Sequence, residues 1–441
     1  MISDLFHFDQ LATIATSLIL FISIIVAMYS KRYFRGDKKR GKFFLMIFLI
    51  TISLITTFCA DNIILICFSW MISNGLLVLM MIHKKSWNQA FESGMMALRN
   101  FSIGAACLIS ALLILHLETG SYSIREILSN DFISQRSIIT SSILIFIAAI
   151  TQSALYPFHS WLTSSLNSPT PASAIMHAGL VNGGGILLVR FAPLLLEMPN
   201  IMTVIFVVGI FSAISGTLLK LVQGNVKTML ACSTMSQMGF MIAQCGMGLF
   251  PAAIAHLFWH GMFKSYLFLS SPGSWQEKRL DLHYPPKISS LLISLLCGSV
   301  GAFIFAKINH VEFYKLDTTL ILVAIAFIAA SQIALTIIDK FPLKNLVSAI
   351  VISSFLSLLY AISVVFIERI MPAEIWQPQQ INIWHIVATL AMFALWIARL
   401  FVGKSPKEAN PILLKGYVKI LNASQPNAKT ITANRNQYNY R

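Results

Sequence analysis

The chain has 441 residues, a formal net charge of +15 and only 11% charged residues, while 56% of it is hydrophobic and its mean hydropathy is +0.74. An ordinary soluble domain carries roughly 25% charged residues, so this composition excludes a soluble enzyme or binding module and defines an integral membrane protein. The positive balance does not point to nucleic acid either, because the basic residues sit in short connections and form no aromatic-interleaved patch on a soluble domain.

Apolar runs predict an all-α, polytopic bundle of about thirteen spans at 10–30, 43–60, 63–82, 101–117, 137–156, 173–196, 201–222, 228–248, 251–271, 288–306, 319–338, 346–367 and 381–402. A helix needs about 20 such residues to cross some 30 Å of hydrocarbon. Asp4 and Asp9 precede the first run, where a cleaved signal would carry positive charge, so that run reads as a span. Lys31, Arg32, Arg35, Lys38, Lys39, Arg40 and Lys42 crowd the first connection, and His83, Lys84, Lys85 and Arg99 lie near the third. Lys278, Arg279, Lys287, Lys340 and Lys344 follow in alternate later connections. The intervening connections carry Asp61, then Glu118, Glu126 and Asp131, then Glu197, then Glu312 and Asp317, then Glu368 and Glu374. By the positive-inside rule this alternation puts the N-terminus outside and the C-terminus in the cytoplasm.

Pro157, Pro169 and Pro171 interrupt the stretch 153–190, which also contains Gly183, Gly184 and Gly185. Prolines break helices and glycines allow close helix contact, so a broken helix buried in protein or lining a wet cavity is expected here. His177 follows the double-proline turn, with Asn182 beyond it. Lys220 and Lys227 flank the next connection, and HLFWHGMFK places His256, His260 and Lys264 four residues apart. Each step of four drifts only about 40° around a helix, so these three share one stripe. Ionisable groups at membrane depth usually face an interior or a hydrated path, and histidine suits proton relay.

Simpler readings stand beside this one. Lys220 and Lys227 also fit snorkelling to a headgroup region, and His177 fits a satisfied core histidine. Zinc on His256 and His260 is disfavoured by the Lys264 cation one turn away and by the lack of a third ligand in the pattern. Cys59, Cys67, Cys107, Cys232, Cys245 and Cys297 form no CxxC pair and read as small core residues. Lys307, Asp339 and Arg399 near span ends fit snorkelling or topology, and Ser331 and Gln332 fit helix-packing hydrogen bonds. Residues 1–403 therefore form one bundle and 404–441 a cytoplasmic tail. Within the tail NPILLKGYVKIL suits a short amphipathic helix, and the remainder has the composition of a disordered end.

The motifs SALYPFHSWL, NSPTPASAIMHAG, KTMLACSTMSQMGFM and HLFWHGMFKSYLFLSS, within about 150–271, resemble the proton-conducting antiporter-like subunits of respiratory complex I and Mrp antiporters. HAGLVNGGGILLVRFAPL, QCGMG and KSYLFLSSPGS are most similar to the DabB family, the membrane subunits of energy-coupled inorganic carbon accumulation complexes.

The resemblance implies a bacterial inner-membrane subunit that passes protons or sodium ions and is not itself an enzyme. Its implied partner is a DabA-like, zinc carbonic-anhydrase-like subunit on the cytoplasmic side. That partner holds the zinc and hydrates CO2 to bicarbonate, with no cofactor expected in this chain. The alternative is a subunit of an Mrp-type antiporter or a complex I-like membrane arm. Matched to the family's relay positions are His177, Lys227, His256, His260 and Lys264, with Lys220 nearby. Two positions depart from the family pattern: Met71 stands where a glutamate usually follows the tryptophan, and Gln152 stands where a lysine is usual. The glutamate–lysine switch pair is thus missing, which favours downhill coupling over an autonomous pump.

Overall fold

A computed structural model describes residues 5–84, 86–276, 285–338, 345–401 and 411–431. Asp4, Lys85, Lys278, Arg279, Asp339, Lys340, Lys344 and 432–441 lie outside the described residues. The helices, in chain order, are α1 (Gln10–Tyr33), α2 (Arg40–Cys59), α3 (Ile63–Met81), α4 (Asn88–Thr119), α5 (Ile124–Leu128), α6 (Gln135–Gln152), α7 (Ser160–Thr163), α8 (Thr170–Ala178), α9 (Gly183–Arg190) and α10 (Ala192–Leu196). There follow α11 (Pro199–Leu221), α12 (Val226–Gly246), α13 (Phe250–Ser270), α14 (Ile288–Ile308), α15 (Thr319–Ile338), α16 (Leu346–Ile370), α17 (Ile383–Phe401), α18 (Pro411–Ala423) and α19 (Ala428–Ile431). Among the described residues, eleven segments are long and apolar enough to cross a membrane, with Thr170–Arg190 counted as one. α12 and α13, at 21 residues each, match their neighbours in length and carry the polar groups of interest.

Local chemistry sets where these helices start and stop. Asp9 caps α1 by accepting from the Ala12 N–H at 2.7 Å, Asn62 caps α3 through Ile64 and Leu65, and Asn225 caps α12 through Lys227 and Thr228, each satisfying N–H groups that lack an intrahelical partner. Asp9 also pairs with Arg190, whose guanidinium donates to the Phe58 carbonyl at 2.7 Å. That one side chain ties the end of α9 to α1 and α2. Connections with acidic character meet at a shared end through short backbone bridges, Phe6 with Ala60, Asn62 with Ser123, Leu249 with Trp376 and Asp317 with Gln380.

Several boundaries differ from the sequence expectation, three of them with a clear physical reason. α4 begins at Asn88 instead of 101, because its first turns turn polar groups inward, out of sight of a hydropathy reading: Ser93 donates to the Ser164 carbonyl and Asn100 to the Thr151 carbonyl, both at 2.9 Å. α6 ends at Gln152 instead of 156, and Ala154 adopts a positive φ of 53° two residues on. The expected disordered end is corrected in part. Asn427 donates its N–H to Ser164, Asn167 donates to the Thr430 carbonyl at 2.8 Å, and Gln223 to the Ser424 carbonyl at 3.1 Å. A polar segment holds its place there because Ser164 and Asn167 ahead of α8, and Gln223 after α11, supply the hydrogen bonds.

The broken helix lies at the centre. α8 ends at Ala178 with Gly179 as its cap, Leu180–Asn182 form a 3-10 turn, and the chain resumes as α9 at Gly183. Every residue in the most apolar window of Thr170–Arg190 is buried, against 17% for Ile383–Leu400. This meets the requirement that freed backbone groups at membrane depth be enclosed by protein. Gly184 makes the close approach possible, since a Cβ there would stand 2.3 Å from the Ala149 carbonyl oxygen of α6.

Candidate functional site

α13 packs against α8, α12, α16 and α1, so the His260 and Lys264 part of its polar stripe is enclosed by protein. Pro251 in the first turn starts the helix, where a missing N–H costs nothing. Gly261 lets α13 approach the break, because a Cβ there would meet the Ala178 carbonyl at 2.9 Å. His260 and Lys264 are buried, and His256 is half-buried. The His256 and His260 rings stack with centroids 6.0 Å apart and planes 13° apart. Neither ring nitrogen of His260, nor Nε2 of His256, has a hydrogen-bond partner among the described residues. A buried polar group without a partner costs roughly 1–3 kcal/mol, so three such nitrogens on one helix are a standing cost unless water or a passing ion meets them.

α12 and α8 supply the rest of the site. His177 is fully enclosed, its ring stacked on Phe268 at 4.1 Å and its Nδ1 3.0 Å from the Thr234 hydroxyl. Thr234 in turn donates to the Leu230 carbonyl at 3.0 Å, which also receives the Lys264 amine at 3.2 Å. A hydroxyl that donates to a carbonyl is left to accept from the imidazole. This assigns the His177 proton to Nδ1 and leaves Nε2 as the acceptor. Lys227 donates to the Ser168 carbonyl at 2.8 Å and the Leu166 carbonyl at 3.4 Å, groups freed by the turn that precedes α8.

The predicted site residues fall into one neighbourhood, with two exceptions. His260 lies within electrostatic reach of Lys264, His256 and His177, and His177 within reach of Lys227. Lys220 is exposed at the last turn of α11, yet within reach of Lys264. Met71 and Gln152 do not meet. Met71 is 42% exposed on the outer face of α3, whereas Gln152 is buried and forms a reciprocal amide pair with Asn74 at 3.0 and 3.2 Å, with a third bond to the Leu180 carbonyl in the break. A neutral clasp therefore joins α3, α6 and the broken helix.

Sequence reasoning missed Thr234, Leu230, Phe268 and Asn74. Two of them had a signal. Thr234 lies seven residues from Lys227, about 20° around the helix from the same direction, and Asn74 lies one turn after the buried Trp70. A carbonyl such as that of Leu230 leaves no signal in side-chain chemistry. Among the described residues, no three or more of His, Cys, Asp and Glu cluster as metal ligands would.

This fold and site define a class: a multi-pass, antiporter-like membrane subunit with ionisable groups enclosed beside a broken helix. The model of the transmembrane domain of the NADH:quinone oxidoreductase/Mrp antiporter family matches residues 60–292, and the chain belongs to that family. A second model, of the N-terminus of chain 5 of complex I NADH-ubiquinone oxidoreductase, matches residues 2–44. A probable inorganic carbon transporter subunit DabB from Bacillus anthracis is 35% identical over 72% of this chain and 63% of its own length. The corresponding Bacillus subtilis protein is 36% identical over 60% of this chain and 53% of its own length. NAD(P)H-quinone oxidoreductase subunit 5 from chloroplasts of Manihot esculenta is 31% identical over 65% and 39%. The chain thus spans about half to two-thirds of the carbon transporter subunits it matches. In three dimensions it resembles a chain of the Mrp complex from Dietzia sp. DQ12-45-1b, with a TM-score of 0.59 and 20% identity over 94% of this chain and 48% of that one.

Proposed function

We propose that this chain is the cation-translocating membrane subunit of an inorganic carbon uptake complex in a bacterial inner membrane. In this reading protons or sodium ions pass along His256, His260, Lys264 and His177, with Lys227 and Lys220 towards the basic end, which is the cytoplasmic one. Ion flow then drives a DabA-like subunit on that side, which resembles a zinc carbonic anhydrase and performs the CO2 hydration. The observation that carries the reading is His260: an imidazole with neither nitrogen bonded, within reach of two further imidazoles and an amine. Each group can hold one proton, and two cations within reach oppose each other. A proton arriving at one group therefore favours departure from its neighbour, and Thr234 keeps the acceptor nitrogen of His177 available. The neutral Asn74–Gln152 pair cannot alternate charge as a carboxylate–lysine pair does, which supports downhill coupling over a self-contained pump stroke. The 35% identity to a probable inorganic carbon transporter subunit supports that choice of substrate.

Cells lacking carbonic anhydrase and carrying the complex should accumulate bicarbonate, and an uncoupler should abolish the uptake. Uptake that persists at full rate with an uncoupler would remove the coupling. A second reading, an Mrp-type antiporter or a respiratory membrane arm, is favoured by the family model. It predicts no bicarbonate accumulation and, for the antiporter, sodium-dependent proton exchange in vesicles.

A further inference from the structure

The second half of the bundle holds an open cavity of about 500 Å³ between α11, α12 and α14 to α17. Its walls are mainly aliphatic, including Ile214, Leu322, Ile325, Ile328 and Ile333, with Trp396 among them. Its lining also takes in His256 from the second turn of α13 and Arg399 from the last turn of α17. Among the described residues no carboxylate lines it, and Arg399 makes no ion pair or hydrogen bond. Lys220, exposed on the last turn of α11, is within electrostatic reach of Arg399. The neighbouring α18 seats Ile420 against Leu219 and leaves Lys415 and Lys419 exposed.

Two cations within reach of each other, with no acid beside them among the described residues, repel, so the mouth of this groove suits an anion. The groove behind it suits hydrocarbon, since aliphatic side chains form most of its wall and Thr217, Ser236, Gln237, Ser357 and Tyr360 add only a few polar groups. Basic pockets between spanning helices are where anionic headgroups bind. The geometry points to a site for one anionic phospholipid: its phosphate on Arg399 and Lys220, and an acyl chain along the groove towards His256. This goes beyond the proposed transport role and does not depend on it.

Trp396 is a reporter built into the groove. The full-length chain is placed in vesicles containing phosphatidylglycerol or phosphatidylcholine with brominated acyl chains, and the Trp396 signal is isolated as the difference from Trp396→Phe. Bromolipid quenching should show a preference for phosphatidylglycerol of about fivefold per cation engaged. Arg399→Gln should reduce that preference about fivefold, and Arg399→Lys should largely keep it. Equal quenching by the two lipids, or a preference that Arg399→Gln leaves intact, would overturn the assignment. Because the readout is lipid contact, a chain that moves no ions still gives an answer.

Discussion

α13 and α17 meet the membrane in opposite ways. α13 carries two imidazoles and an amine and is surrounded by α1, α8, α12 and α16, whereas the most apolar window of Ile383–Leu400 is only 17% buried. A hydropathy profile ranks α17 as the better membrane helix, yet the costly helix lies where protein surrounds it and the apolar one where lipid can. The same contrast divides the bundle: the first half closes around a broken helix, and the second leaves a groove between its helices. Charge at membrane depth is tolerated where enclosing helices supply carbonyls and hydroxyls, as Leu230, Thr234 and Ser168 do here.

Substituting one lysine on each side should break this comparison most visibly. Lys264→Met should lower ion-coupled uptake at least tenfold while the complex still copurifies. Lys307→Met, at an exposed position late in α14, should change uptake less than twofold. Equal effects would mean that enclosure does not select the working groups. Two glycines give the next contrast. Gly184→Val should destabilise the fold by about 1–3 kcal/mol or more through overpacking against α6, read as a lower midpoint in thermal unfolding. Gly75→Ala, with nothing within 4 Å of its new methyl, should be neutral or slightly stabilising.

A smaller effect is expected at Thr234. Thr234→Val keeps the shape but loses the bonds to His177 and Leu230, worth roughly 0.5–1.5 kcal/mol each, so uptake should fall by about two- to tenfold and Thr234→Ser should restore it. The smallest effect lies outside the spans. The Lys39 N–H at 2.7 Å, then His83 at 3.1 Å, hold the Asp37 carboxyl below its ordinary value. A lowered carboxyl stabilises the fold above the unfolded value near 3.9, and that contribution fades as pH falls through the lower folded value. The stability difference between the native chain and Asp37→Asn should be a few tenths of a kcal/mol near pH 5 at this partly exposed site, and should shrink below about pH 4. A difference that grows as pH falls below 4 would reverse the assignment.

Much of the enclosed half was legible in residue spacing. Three ionisable groups four apart define a stripe in any helix, and prolines with a glycine run mark a break wherever they fall. The chain does not announce its partners: Leu230 acts through a backbone oxygen, and Asn74 acts through an amide that any interior could use for packing. The start of α4 was hidden because Ser93 and Asn100 lower the apparent hydropathy of turns that are nonetheless helical. The order at 424–431 was hidden for a related reason, since its stability comes from Ser164, Asn167 and Gln223 on distant elements. The groove is least legible of all, because a space between helices depends on how well side chains fill it and has no residues of its own.

The central claim, that the stripe on α13 carries the ion, is tested most directly by flux. The assembled complex, reconstituted in vesicles with a pH dye or a sodium-sensitive dye inside, is given an imposed pH gradient in sodium-free medium and then a sodium gradient in buffered medium, each read by its own dye. The account predicts dissipation of one of the two gradients by the native protein and its loss in both Lys264→Met and His260→Phe complexes of normal composition. Native flux through both variants would contradict it.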